Sequence, residues 1–146
     1  MPTLETVLNE TETELIAIIK AAWGVSKVHV QPKELEPTTA GLDEAFLLCS
    51  EVVPAEDGEG SLCAEAGRVK WSAMLHAIKP MSGSVIRNKR AAVQSLRSAL
   101  KGATFTHTGL MRWEGEIYDV LESETQAVQG AYMVRLNFSS FVEWTD

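Results

Sequence analysis

Residues that ligate metals or attack substrates are scarce. The 146-residue chain has two cysteines and three histidines. Cys49 and Cys63 lack CxxC spacing and cannot form a metal site alone; in an intracellular setting such thiols stay reduced. His29, His76 and His107 lie far apart with no HxH, HxxE or HExxH spacing. The sequence has no GxxxxGK[ST] loop, no GxGxxG and no GxSxG, and in Gly58-Glu59-Gly60 the carboxylate would repel phosphate. Cys63 stands beside Glu59 and Glu65, a negative setting that raises a thiol pKa and weakens any nucleophile. No apolar run approaches the ~18–20 residues of a membrane helix. The start, Met-Pro-Thr-Leu-Glu, has no basic region followed by an apolar stretch, which predicts a soluble chain made without a signal peptide and no membrane partner.

What is present is an average globular composition, 45% hydrophobic and 23% charged, on a length that suits one domain spanning 1–146. Charge, by contrast, is unevenly placed. Residues 1–67 hold 13 acids and 3 bases, and residues 113–146 hold 7 acids and only Arg135. Between them, residues 68–112 hold nine bases (Arg68, Lys70, Lys79, Arg87, Lys89, Arg90, Arg97, Lys101, Arg112) and no acid. Segregation of this kind governs association and steering rather than fold. It admits three readings. Folding brings the basic block beside the acidic ones in one subunit, or the block meets an acidic face on another copy, or it faces a polyanion.

Apolar residues at 4, 7, 8, 15, 18, 19 and 22 follow helical spacing. Asn9 with Glu12 and Thr11 with Glu14 have capping-box spacing, so the regular helix starts anywhere up to residue 12, and Gly24 stops it. Residues 27–31 form a short strand ended by Pro32, and 32–44 read as a loop. Residues 45–53 are a buried strand, with Cys49 inside it. Residues 54–67 are acidic, small and glycine-rich, a flexible loop or arm. From 68 to 78 the chain alternates, with Val69, Trp71, Ala73, Leu75 and Ala77 on one face. A second helix, capped by Ser82 or Ser84, runs to Lys101 before Gly102. Its apolar positions 85, 86, 92, 93, 96, 99 and 100 share an arc of about 140°, with Arg87, Arg90, Arg97 and Lys101 opposite; Lys89 points into the apolar stripe and snorkels. Strands at 110–113, 116–122 and 131–141 close the chain as an antiparallel meander. The expectation is an α+β domain: a four- to five-stranded antiparallel sheet, mixed pairing being possible, with two amphipathic helices packed on one face.

Glu114, Glu116 and Asp119 lie close enough to suggest a divalent-ion site. On a regular strand, however, 114 and 116 share a face that 119 does not, and acids at a turn are usually solvated. The expectation is a non-enzyme with no cofactor and no metal. The basic helix face can track phosphates, but a pI near 5.0 and the lack of a reader motif oppose sequence-specific binding, leaving non-specific proximity to DNA.

This organisation resembles the tail-terminator (tail-completion) proteins of long-tailed bacteriophages, including the Mu-like prophage group. The resemblance rests on the N-terminal helix, the strand pair 45–53 and 68–78 around an acidic arm, the helix at 84–101, and the closing strands. Those strands read Arg112-Trp-Glu-Gly-Glu-Ile-Tyr-Asp-Val and Gly130-Ala-Tyr-Met-Val-Arg-Leu-Asn-Phe. It implies a virion structural protein, assembled in the host cytoplasm, that forms a homohexameric ring at the head-proximal end of the tail. The ring would stop tube growth and meet the tail tube protein and the neck or head-completion protein. In such a ring Arg87, Arg90, Arg97, Lys101, Arg68 and Lys70 are candidates for the subunit interface or the lumen. Glu56, Asp57, Glu59, Glu114, Glu116 and Asp119 are the acidic candidates opposite them. Two other readings remain open: a different phage or secretion-tube assembly component, and a small ligand-binding α+β domain.

Overall fold

In the computed structural model, residues 1–30, 44–55, 65–77, 89–120 and 132–145 are described. The elements run α1 (Leu4–Trp23), β1 (Val28–His29), β2 (Glu44–Pro54), β3 (Ala66–Ala77), α2 (Lys89–Gly102), β4 (Arg112–Val120) and β5 (Tyr132–Glu143). The strands form one sheet in the order β1-β2-β3-β5-β4. β1 pairs with β2 in parallel and every other pairing is antiparallel. The expected α+β architecture is therefore present, with five strands and mixed pairing.

α1 starts eight residues earlier than the latest start its capping boxes allow. Thr3 is the N-cap, accepting from the Thr6 amide at 3.3 Å, and both later capping pairs lie inside the helix. Burial explains the choice: Val7, Thr11, Leu15, Ile19 and Trp23 are all buried, one every four residues along a single stripe. A start at residue 12 would forfeit the first part of that stripe. Gly24 ends the helix in the left-handed region, φ 63°, with its amide on the Lys20 carbonyl at 2.9 Å.

α2 buries Ala92, Val93, Leu96 and Leu100, which belong to the apolar arc its sequence displays. It includes Gly102 rather than stopping before it. Two side-chain hydrogen bonds tie the helices together: Trp23 Nε1 donates to the Ala92 carbonyl at 2.9 Å, and Ser95 Oγ to the Ala22 carbonyl at 3.0 Å. The Ser82 and Ser84 caps, the start of that helix from 84, and the Lys89 side chain lie outside the described residues, as do most of the 32–44 and 54–67 segments.

Alternation decides which sheet face the helices cover. Val69, Trp71, Ala73 and Leu75 of β3 pair in register with Ser140, Phe138, Leu136 and Val134 of β5, and all eight are buried. The other face carries Arg68, Lys70, Ser72 and Met74 opposite Phe141, Ser139, Asn137 and Arg135. That face is largely polar. Ser72 Oγ donates to Asn137 Oδ1 at 2.7 Å, and Arg68 Nη1 to Ser139 Oγ at 3.2 Å.

Two expectations are corrected. The final meander has two strands, not three, because 110–113 and 116–122 do not form separate strands around a turn. Glu114 is the extra residue of a bulge between Trp113 and Gly115 in a single strand, and Gly115 beside it takes φ 134°. Cys49 lies in β2 but is exposed, because only the first four residues of that strand are fully buried and a register shift follows at Cys49/Glu51.

Candidate functional site

The bulge at Gly115 shapes the most distinctive surface of the molecule. Without it, Glu114 and Glu116 would point the same way. With it, Glu116 sits opposite Leu136 on the helix side of the sheet. Glu114 turns to the other face, accepting from Ser139 Oγ at 2.6 Å, with Arg112 Nε 3.5 Å away. The two carboxylates therefore do not converge, and the expected shared face is overturned. Among the described residues no group of three or more His, Cys, Asp or Glu could hold a metal ion.

Glu116 instead joins a cluster between α2 and β4. Its Oε2 accepts from Arg97 Nη1 at 3.3 Å and its Oε1 from the Tyr118 hydroxyl at 2.8 Å. The Arg97 guanidinium lies 5.1 Å from the Trp113 ring centroid, a cation–π distance. Partial desolvation, then the Glu116 hydrogen bond and charge, push the Tyr118 pKa up against the opposing pull of Arg90 and Arg97. The phenol thus stays a donor at neutral pH.

Next to this cluster, between α2 and β4, lies a groove of about 400 Å³. Leu100, Met111, Leu136 and Phe138 form its apolar floor, and Arg97, Lys101 and Trp113 its rim. Beyond the groove, β4 is a terminal strand of the sheet, with no second neighbour among the described residues. Trp113 is 55% exposed and Ile117 41%, and Tyr118 and Leu110 are exposed beside them. A long edge strand with unpaired backbone groups and exposed apolar side chains is a template for pairing with another chain unless something covers it.

The segment leading into β4 is held firmly. Phe105 is buried, Thr106 donates to the Glu14 carboxylate at 3.2 Å, and His107 Nε2 contacts Glu10 of α1.

The structure divides the basic candidates between two places. Arg90, Arg97 and Lys101 lie on α2, where Arg97 is already paired with Glu116 of its own chain. Arg68 and Lys70 project from the opposite sheet face, where Lys70 Nζ pairs with Glu51 at 3.2 Å. Folding therefore neutralises part of the basic block internally, and its described members are split between two faces. Lys101 has no ion pair among the described residues. Arg87, Glu56, Asp57 and Glu59 lie outside those residues, and so does the Asp119 side chain.

The exposed apolar edge is hidden in the sequence because Glu114-Gly115 separates two strand-like runs as a turn would. Reading Gly115 as a bulge inside one strand would have exposed the signal. Partial desolvation of the Cys49 thiol, with the Glu12 carboxylate adding to it, raises its pKa over the opposing effect of a backbone hydrogen bond. Among the described residues no helix is long and apolar enough to cross a membrane. No protein-family model matches this chain, and no curated protein matches it significantly.

Proposed function

We propose that this protein is a non-catalytic assembly subunit that joins copies of itself into a ring, in the manner of the phage tail-terminator proteins it resembles. The observation that carries this reading is the edge of β4, which has no second neighbour among the described residues and carries the exposed Trp113, Ile117 and Tyr118. Such an edge costs solubility unless a partner uses it. Closed rings are built from heterologous contacts, in which one patch meets a different patch on the next copy. The separated cationic and acidic stretches suit that arrangement by setting encounter rate and register. In this role the ring caps a tail tube in the virion, halts its growth and presents a face to the neck or head-completion protein. Any contact with DNA is non-specific and confined to the central opening.

A second reading has one observation in its favour. A groove of about 400 Å³ falls within the size range of small-ligand sites. Its open form and its shared Trp113 rim fit an interface better.

Ile117→Lys separates the two. Ile117 is 41% exposed, so the loss of folding stability should stay within about 1 kcal/mol, while an edge lysine blocks strand pairing. Sedimentation velocity should show an assembled wild type and a monomeric variant with an unchanged circular dichroism spectrum. A variant that sediments like the wild type would remove β4 from the interface.

A further inference from the structure

We propose that the cationic α2/β4 edge of one copy docks on the acidic α1/β2 edge of the next. The inference rests on the ring reading above and names the patch that β4 meets. Opposite sides of the sheet carry opposite charge. On the β4 side, α2 places Arg97 and Lys101 beside Trp113, and Lys101 has no ion pair among the described residues. On the β2 side lies α1, which holds four acids and one base. Glu10 and Glu14 on one flank of that helix engage His107 and Thr106. Glu5 and Glu12, seven residues apart, share the other flank and have no ion pair among the described residues. Glu12 is near enough to Cys49 of β2 for its charge to act on the thiol.

Sheet register sets the two charged sites at one height. Cys49 pairs with Trp71, Trp71 with Phe138, and Phe138 with Trp113. Glu12 and the Arg97–Trp113 stack therefore sit at opposite ends of one row across the sheet. The backbone matches as well. β1 covers β2 only at Ala45 and Phe46, so from Leu47 onward β2 has no outer neighbour among the described residues. Three successive antiparallel pairings make β4 run opposite to β2. Two copies side by side in one orientation thus set β4 antiparallel to the outer edge of β2, with α2 facing α1 on the same side of the joined sheet. Charge and strand direction select the same head-to-tail contact, the kind a closed ring requires.

A disulfide trap tests this with the full chain. In a Cys63→Ser background, Trp113→Cys adds a thiol in the same row as the native Cys49. Within one copy the two are three strand spacings apart, about 14 Å, and a disulfide spans at most about 7 Å between Cα atoms. Any bond between them therefore joins two copies. With diamide as oxidant, a ladder of multimers should appear on a non-reducing gel and collapse on reduction, and adding Cys49→Ser should abolish it. A dimer band alone would mean that like edges meet, and would overturn the inference. If the Trp113→Cys protein does not assemble, a charge swap decides with Trp113 in place. Lys101→Glu and Glu12→Lys should each raise the concentration for half-assembly about tenfold, and the double variant should recover it. A double variant no better than either single one would overturn the contact. Neither ladder nor recovery, where the wild type sediments as an oligomer, would overturn this inference and leave the ring reading intact. A wild type that is monomeric throughout would overturn both.

Discussion

Trp71→Ala should remove about 3–5 kcal/mol of folding stability, the largest effect expected from a single change in this protein. Trp71 lies at the middle of β3, 1% exposed, flanked in register by Cys49 of β2 and Phe138 of β5. Truncation leaves a cavity beneath both helices that a five-stranded sheet cannot close by local collapse. Trp71→Phe is the informative companion. The indole Nε1 is buried and has no hydrogen-bond partner among the described residues, so phenylalanine loses volume but also removes a costly orphaned donor. Its net cost should stay below about 1.5 kcal/mol. Urea unfolding at one fixed protomer concentration measures both values, since association shifts apparent stability by mass action. A Trp71→Ala cost below about 1 kcal/mol would mean the sheet centre is not packed as described.

Gly67→Ala should destabilise by about 1–3 kcal/mol, although alanine ordinarily suits a strand better than glycine. Gly67 is buried opposite Pro54 and Val142. A Cβ there would lie 2.4 Å from the Val53 carbonyl oxygen and 3.2 Å from both the Pro54 Cα and the Trp144 Cη2. The first two are backbone atoms and cannot swing aside. Gly102→Ala makes the opposite case. Nothing lies within 4 Å of its added methyl, and helix propensity predicts a gain of up to about 1 kcal/mol. The contrast isolates close approach from backbone entropy. The Gly67 region also anchors both termini, since Trp144 N donates to the Glu65 carbonyl and Thr145 N to the Pro2 carbonyl, each at 2.9 Å. Loss of order there should accompany the loss of stability.

Periodicity carried most of the fold. α2 displays its buried face as a continuous arc, and β3 and the first half of β5 alternate, so the helices and the core strands are legible from spacing alone. Local signals failed where they competed with burial. The capping pairs of α1 were outweighed by the Val7 and Thr11 contacts, because a buried stripe outweighs a cap worth about 1 kcal/mol. Gly115 was ambiguous in principle, since a glycine between strand-like segments marks either a turn or a bulge and only the partner strand decides. The site suffered most from that ambiguity. One inserted residue sends Glu114 and Glu116 to opposite faces and brings Trp113 onto Arg97. The charge blocks were visible at once, but not the internal pairs Arg97–Glu116 and Lys70–Glu51. Such pairs depend on which strands become neighbours.

The mass of the unmodified chain in solution tests the central claim most directly. Sedimentation velocity with light scattering, at low and high salt and over a wide concentration range, should find a closed species at a fixed multiple of 16.0 kDa. Its assembly should weaken as salt screens the charged contacts. A species of 16.0 kDa at every concentration and salt would contradict the account.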